Sequence, residues 1–149
     1  MHDAMEELKR AEHLLYVSLK YTRTVDVLKS LLLRLISGLD VTISCLLQRA
    51  KDKKRIKEIP PQITVRCELV KKLYNDEKIN EMLQFYLTLR KINKAEYKKS
   101  NEYRRHVTMT ATTDDGIIEV NLDIIKEYFH KTGEYVDYVD NLLNPKKQS

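Results

Sequence analysis

Tryptophan is absent from the 149 residues, and glycine and proline occur only three times each. A turn-rich all-β fold needs many more of both, so that class is excluded. Cysteine occurs twice, at Cys45 and Cys67. Each falls in an apolar helical stretch and reads as a buried free thiol of a reducing cytosol rather than half of a disulfide. No ligands stand around them at the spacing of a zinc site. Gly-rich phosphate loops, nucleophile elbows and the His-Glu-x-x-His pattern are all missing. Glu127 and His130 have the Glu-x-x-His spacing of a di-iron bundle site, but a second such pair is lacking. No apolar run reaches the length of a membrane span. The start, MHDAMEELKR, reads as an acidic helix and not as a signal peptide. These absences describe a cytoplasmic chain with no metal, no cofactor and no membrane contact.

What is present favours helices. Charged residues make up 33 % and hydrophobic ones 42 %, with Lys, Glu, Leu and Ile prominent. At this length one helical-bundle domain over residues 1–149 is expected, with a single continuous core. A first helix is predicted from about Asp3 to Lys20, with Asp3 and Glu6 at capping-box spacing. Thr24 caps a long second helix, Val25 to Ala50. Its stripe of Val25, Leu28, Leu32, Leu35, Leu39, Ile43 and Leu46 is widened by Leu31, Ile36 and Leu47. So broad an apolar arc suits a central helix, or one that also forms a homodimer face.

A third helix starts at Pro60-Pro61 and runs to about Tyr74, since proline is tolerated in a first turn. A fourth, capped by Asn75 or Asp76, covers Glu77 to Lys99. Residues 107–120, VTMTATTDDGIIEV, change to strand periodicity around Asp115-Gly116 and predict one small β-hairpin. Asn121 caps a last helix, Leu122 to Leu143, which Asn144-Pro145 ends. The tail KKQS reads as frayed. The fold class is therefore all-α, a bundle of about five helices with one hairpin insertion.

Charge is unevenly spread. The window Arg90–Arg105 holds seven bases and two acids, a net +5 equal to that of the whole chain. Outside it, twenty bases face twenty acids. The bases are Arg90, Lys91, Lys94, Lys98, Lys99, Arg104 and Arg105, and Asn101 and Tyr103 lie among them. A focused basic patch that carries tyrosine is what a polyanion-binding surface presents. These nine residues are the candidate nucleic-acid contacts, with RNA favoured. His106 adjoins Arg104 and Arg105, so a base and cations for RNA cleavage stand together. The stretch from Asp114 to Asp140 carries eight acids and two bases and offers the window a counter-charge within the fold. A winged helix is disfavoured, because the second helix is too long for it. The alternative is a dimeric interaction module that docks an acidic protein partner through the same window.

The AEHLL first helix (Ala11–Leu15), the long apolar second helix and the segment NEYRRHVT (Asn101–Thr108) resemble the HEPN superfamily, especially its archaeal stand-alone bundles. The resemblance extends over most of the chain. It implies a homodimeric helical bundle and, in many members, a metal-independent RNase built on an arginine followed after four to six residues by histidine. That pattern is absent: Asn101, Ser100 and Lys99 occupy the positions five to seven before His106. Only Lys99 and His106 stand in for the pair, and lysine lacks the planar two-pronged donor set of arginine. A catalytically degenerate, RNA-associated HEPN-like protein is the expectation that follows, with His106 the candidate catalytic residue if any cleavage occurs.

Overall fold

The computed structural model describes residues 1–145, and the KKQS tail lies outside them. The chain runs α1 (His2–His13), a π-helical segment (Leu14–Ser18), α2 (Leu19–Tyr21), α3 (Val25–Asp52), α4 (Ile63–Tyr74), α5 (Glu77–Lys94), β1 (Glu96–Ser100), β2 (Thr108–Thr113), β3 (Gly116–Val120) and α6 (Leu122–Leu143). α1, the π segment and α2 follow one another without a break, so about five helical rods surround one small sheet.

α3 is the axis of the bundle. Every residue of its predicted stripe is buried, as are Leu31, Ile36 and Leu47. The α1 rod, α4, α5, α6 and β2 all pack on it. Truncating one of these leucines to alanine would cost about 2–5 kcal/mol. The arc that suggested a dimer face is thus covered by the chain's own helices. Leu33 is the one large apolar side chain of α3 left exposed. α3 also corrects the statement about membrane-length runs. It is long and apolar enough to cross a bilayer by length and composition, because residues 30–47 carry only two charges, Arg34 and Asp40. Here most of its large apolar side chains are buried within the chain's own fold.

The π segment has a packing reason. Ala4 and Ala11 are fully buried against α3, and Leu19 follows eight residues after Ala11. An α-helix turns about 100° per residue, which would carry Leu19 about 80° off that face. Wider π turns rotate less per residue and bring Leu19 back. Tyr16 and Val17 are left exposed on the bulge.

The caps fall largely where the side chains dictate. Thr24 Oγ1 accepts from Val27 N–H at 3.3 Å, Asp76 Oδ1 from Ile79 N–H at 3.0 Å, and Asn121 Oδ1 from Ile124 N–H at 2.9 Å. Asn75 instead ends α4 in the left-handed region at φ 45°. Three boundaries differ from expectation. α1 begins at His2 after Met1, with no side-chain cap from Asp3. α4 begins at Ile63, because Pro60 and Pro61 lead into Gln62, whose extended backbone forms the N-cap. α5 stops at Lys94, where Ala95 turns extended at ψ 151°.

The last of these changes the fold. Glu96–Ser100, expected as the end of a helix, is a strand paired antiparallel with β2. The insertion is therefore a three-stranded sheet of order β1-β2-β3 rather than a hairpin. Glu96, Lys98 and Lys99 are good helix formers, but the Thr-rich β2 offers β1 a ladder of hydrogen bonds, and tertiary pairing outweighs propensity. The hairpin proper is as expected in outline. Asp114 and Asp115 turn the chain, and Gly116 sits at φ 120° opposite Thr113.

Candidate nucleic-acid interface

Direct partners across antiparallel strands share a face. Tyr97 pairs with Ala111 and Lys99 with Met109, while Ile118 and Val120 complete the row. Met109, Ala111 and Val120 are buried, so this face lies on the helices. The opposite face carries Glu96, Lys98 and Ser100, then Thr108, Thr110 and Thr112, then Ile117 and Glu119. Ile117 is 70 % exposed, which marks this face as open.

The sheet splits the basic window into two ends. Arg90, Lys91 and Lys94 end α5 beside the Asp114–Asp115 turn. Asn101, Tyr103, Arg104 and Arg105 form the loop at the far end of β1, about 15 Å away along a five-residue strand. The seven bases do not converge on one helix face. Lys91 Nζ is 2.8 Å from Asp115, and Lys99 Nζ is 3.2 Å from Asp26 at the start of α3. Hydrogen bonding to these carboxylates raises the pKa of each lysine above its ordinary value. Both pairs are solvent-exposed and contribute little to stability. Arg90 is half-buried, with its guanidinium 5.7 Å from the Tyr86 ring. The Tyr86 hydroxyl in turn donates to Asp40. Burial, then this hydrogen bond, holds the Tyr86 pKa far above its usual value. Four bases of the window, Lys94, Lys98, Arg104 and Arg105, are exposed and make no ion pair among the described residues. No acid of α6 forms an ion pair with the window among the described residues. Among the described residues its one link to the acidic stretch is Lys91–Asp115.

The loop is held rigidly at its base. Glu102 Oε2 accepts from Val25 N–H at 3.0 Å, a second cap on α3 from 77 residues away. Tyr103 N–H donates to the Arg23 carbonyl at 2.7 Å, and Arg104 N–H to the Asn101 carbonyl at 3.2 Å. Val107 closes the loop and is fully buried. Asn101 and Tyr103 both take positive φ, 55° and 64°. Asparagine adopts this region readily, but for tyrosine it costs about 1–3 kcal/mol, offset here by the anchors on either side. The strained backbone projects the Tyr103 ring outward, 77 % exposed.

His106, also exposed, lines a cleft of about 260 Å³ with Arg105, Thr108, Asn121, Leu122 and Asp123. Its carbonyl accepts the Thr108 hydroxyl at 2.8 Å. No carboxylate pairs with its ring among the described residues, and Lys99, the expected stand-in for a nuclease arginine, is drawn to Asp26. No group of metal-ligating side chains occurs among the described residues.

No family model, no curated protein and no solved structure matches this chain. The site therefore rests on its own geometry. Charge counting located the loop but not its anchors. Glu102 looked like one of two acids diluting the window, yet it fixes the loop to α3. Asp123, in the first turn of α6, lines the same cleft as Arg105 only through the fold.

Proposed function

We propose that this chain is a cytoplasmic, HEPN-like helical bundle that associates with single-stranded RNA through its 101–106 loop and the open face of β1. The observation that carries this reading is Tyr103. Its ring is exposed on a backbone at φ 64°, followed in the chain by Arg104 and Arg105, neither of which has an acidic partner among the described residues. An exposed aromatic ring beside free cations supplies stacking for an unpaired base and charge for its phosphates. Lys98, on the outer sheet face with Thr108, Thr110 and Thr112, extends that charge along β1.

Binding without cleavage is the favoured form, since Lys99 is engaged by Asp26 and no carboxylate pairs with the His106 ring among the described residues. The proposal is made for one chain. Light scattering that returned twice 17.6 kDa would require a dimer face other than the buried α3 arc.

Fluorescence anisotropy with a labelled eight-nucleotide RNA tests the reading. Tyr103→Ala should weaken binding by about 1–3 kcal/mol while the salt dependence is kept. An acidic peptide that competes the RNA away, or binds where RNA does not, would favour the protein-docking alternative, for which the four unpaired bases are equally suited.

A further inference from the structure

We propose that the cleft between the 101–106 loop and the start of α6 receives an unpaired guanine base. This inference rests on the RNA reading above and narrows it to a base preference. Arg105 and Asp123 both line the cleft, and no ion pair joins them. Neither side chain has a hydrogen-bond or ionic partner among the described residues, so the donors of one and the acceptors of the other are free for a ligand. Two opposite charges that share a cleft and do not meet call for a group with donors on one side and acceptors on the other.

Guanine has that arrangement in paired form. Its N1–H and N2 amino group are two adjacent donors that match the two oxygens of a carboxylate. Its O6 and N7 are two adjacent acceptors that match the fork of an arginine. Adenine and cytosine each set an acceptor beside their amino group, and uracil sets two carbonyls around its single N–H, so none of them meets a carboxylate with two donors. The volume, about 260 Å³, lies just under the range for drug-sized ligands and suits one base. Leu122 supplies an apolar surface in the same lining. The helix terminus itself does not carry the argument, because Asn121 Oδ1 already takes the Ile124 N–H. Tyr103, two residues before Arg105 in the same loop, offers an exposed ring for a neighbouring base.

The test compares eight-nucleotide RNAs of uridine and adenosine with and without one central guanosine, against the full chain. The guanosine should tighten binding about tenfold. Inosine in its place, which lacks the N2 amino group, should lose most of that gain, and 7-deazaguanosine should lose the Arg105 share. These analogues probe the wild-type protein and need no variant to fold. Asp123→Asn should abolish the preference for guanosine, with the thermal midpoint as the folding check. Equal affinity for RNAs with and without guanosine would overturn this inference and leave the RNA reading standing. An absence of binding to any of these RNAs would overturn both.

Discussion

Replacing Lys98, Arg104 and Arg105 together by alanine should flatten the salt dependence of RNA binding without unfolding the chain. All three side chains are exposed, and none forms an ion pair among the described residues. Each phosphate neutralised on a single strand contributes about −0.7 to the slope of log K against log salt, so losing three contacts makes the slope shallower by about 2. Between 50 and 200 mM salt, the wild type should then lose about sixteen-fold more affinity than the variant. Lys91→Ala with Lys99→Ala is the matched control. Those ammonium groups already sit on Asp115 and Asp26, so removing them should change the slope by well under one unit. Anisotropy titrations at four salt concentrations give both slopes. A triple variant with the wild-type slope, or a control double variant with the larger change, would refute the assignment of free and paired cations.

Three further outcomes follow from particular residues. Gly116→Val should destabilise the protein by about 1 kcal/mol or more in denaturant melts, because φ 120° suits glycine alone even though the space beside it is open. Glu102→Ala should cost about 1 kcal/mol through the lost cap on Val25 and should broaden the amide signals of residues 101–106, whereas Glu102→Gln should keep much of the bond. Stability should fall as pH rises past 10. Burial and the bond to Asp40 keep Tyr86 protonated in the folded chain, while the unfolded chain ionises at its ordinary value of about 10, so the contribution is complete below that pH and declines above it. Tyr86→Phe should lower the baseline, since Asp40 loses its donor, and reduce the alkaline decline. Denaturant midpoints from pH 8 to 11 check this.

The helical rods were legible because burial leaves a period in the sequence. α3 could be traced residue by residue, and Thr24, Asp76 and Asn121 marked starts that their side chains then cap. β1 was not legible. Its five residues, EYKKS, have one half-buried position, Tyr97, and an edge strand with one partner needs no apolar alternation. Its identity as a strand comes from β2, eight residues downstream. The basic window was visible as composition, but pairing decides which charges are free, and those pairings join residues 24 and 73 positions apart. The strain at Tyr103 left no trace in the sequence, because the carbonyl that holds it belongs to Arg23.

An amide-resolved titration of the labelled protein with a guanosine-containing eight-nucleotide RNA tests the central claim most directly. The account predicts shifts concentrated at Tyr103, Arg104, Arg105 and His106, extending to Lys98 on β1 and Asp123 on α6, with Lys91 and the Asp115 turn little changed. Shifts confined to the opposite end of the sheet or to the helical faces, or no shifts at all, would contradict it.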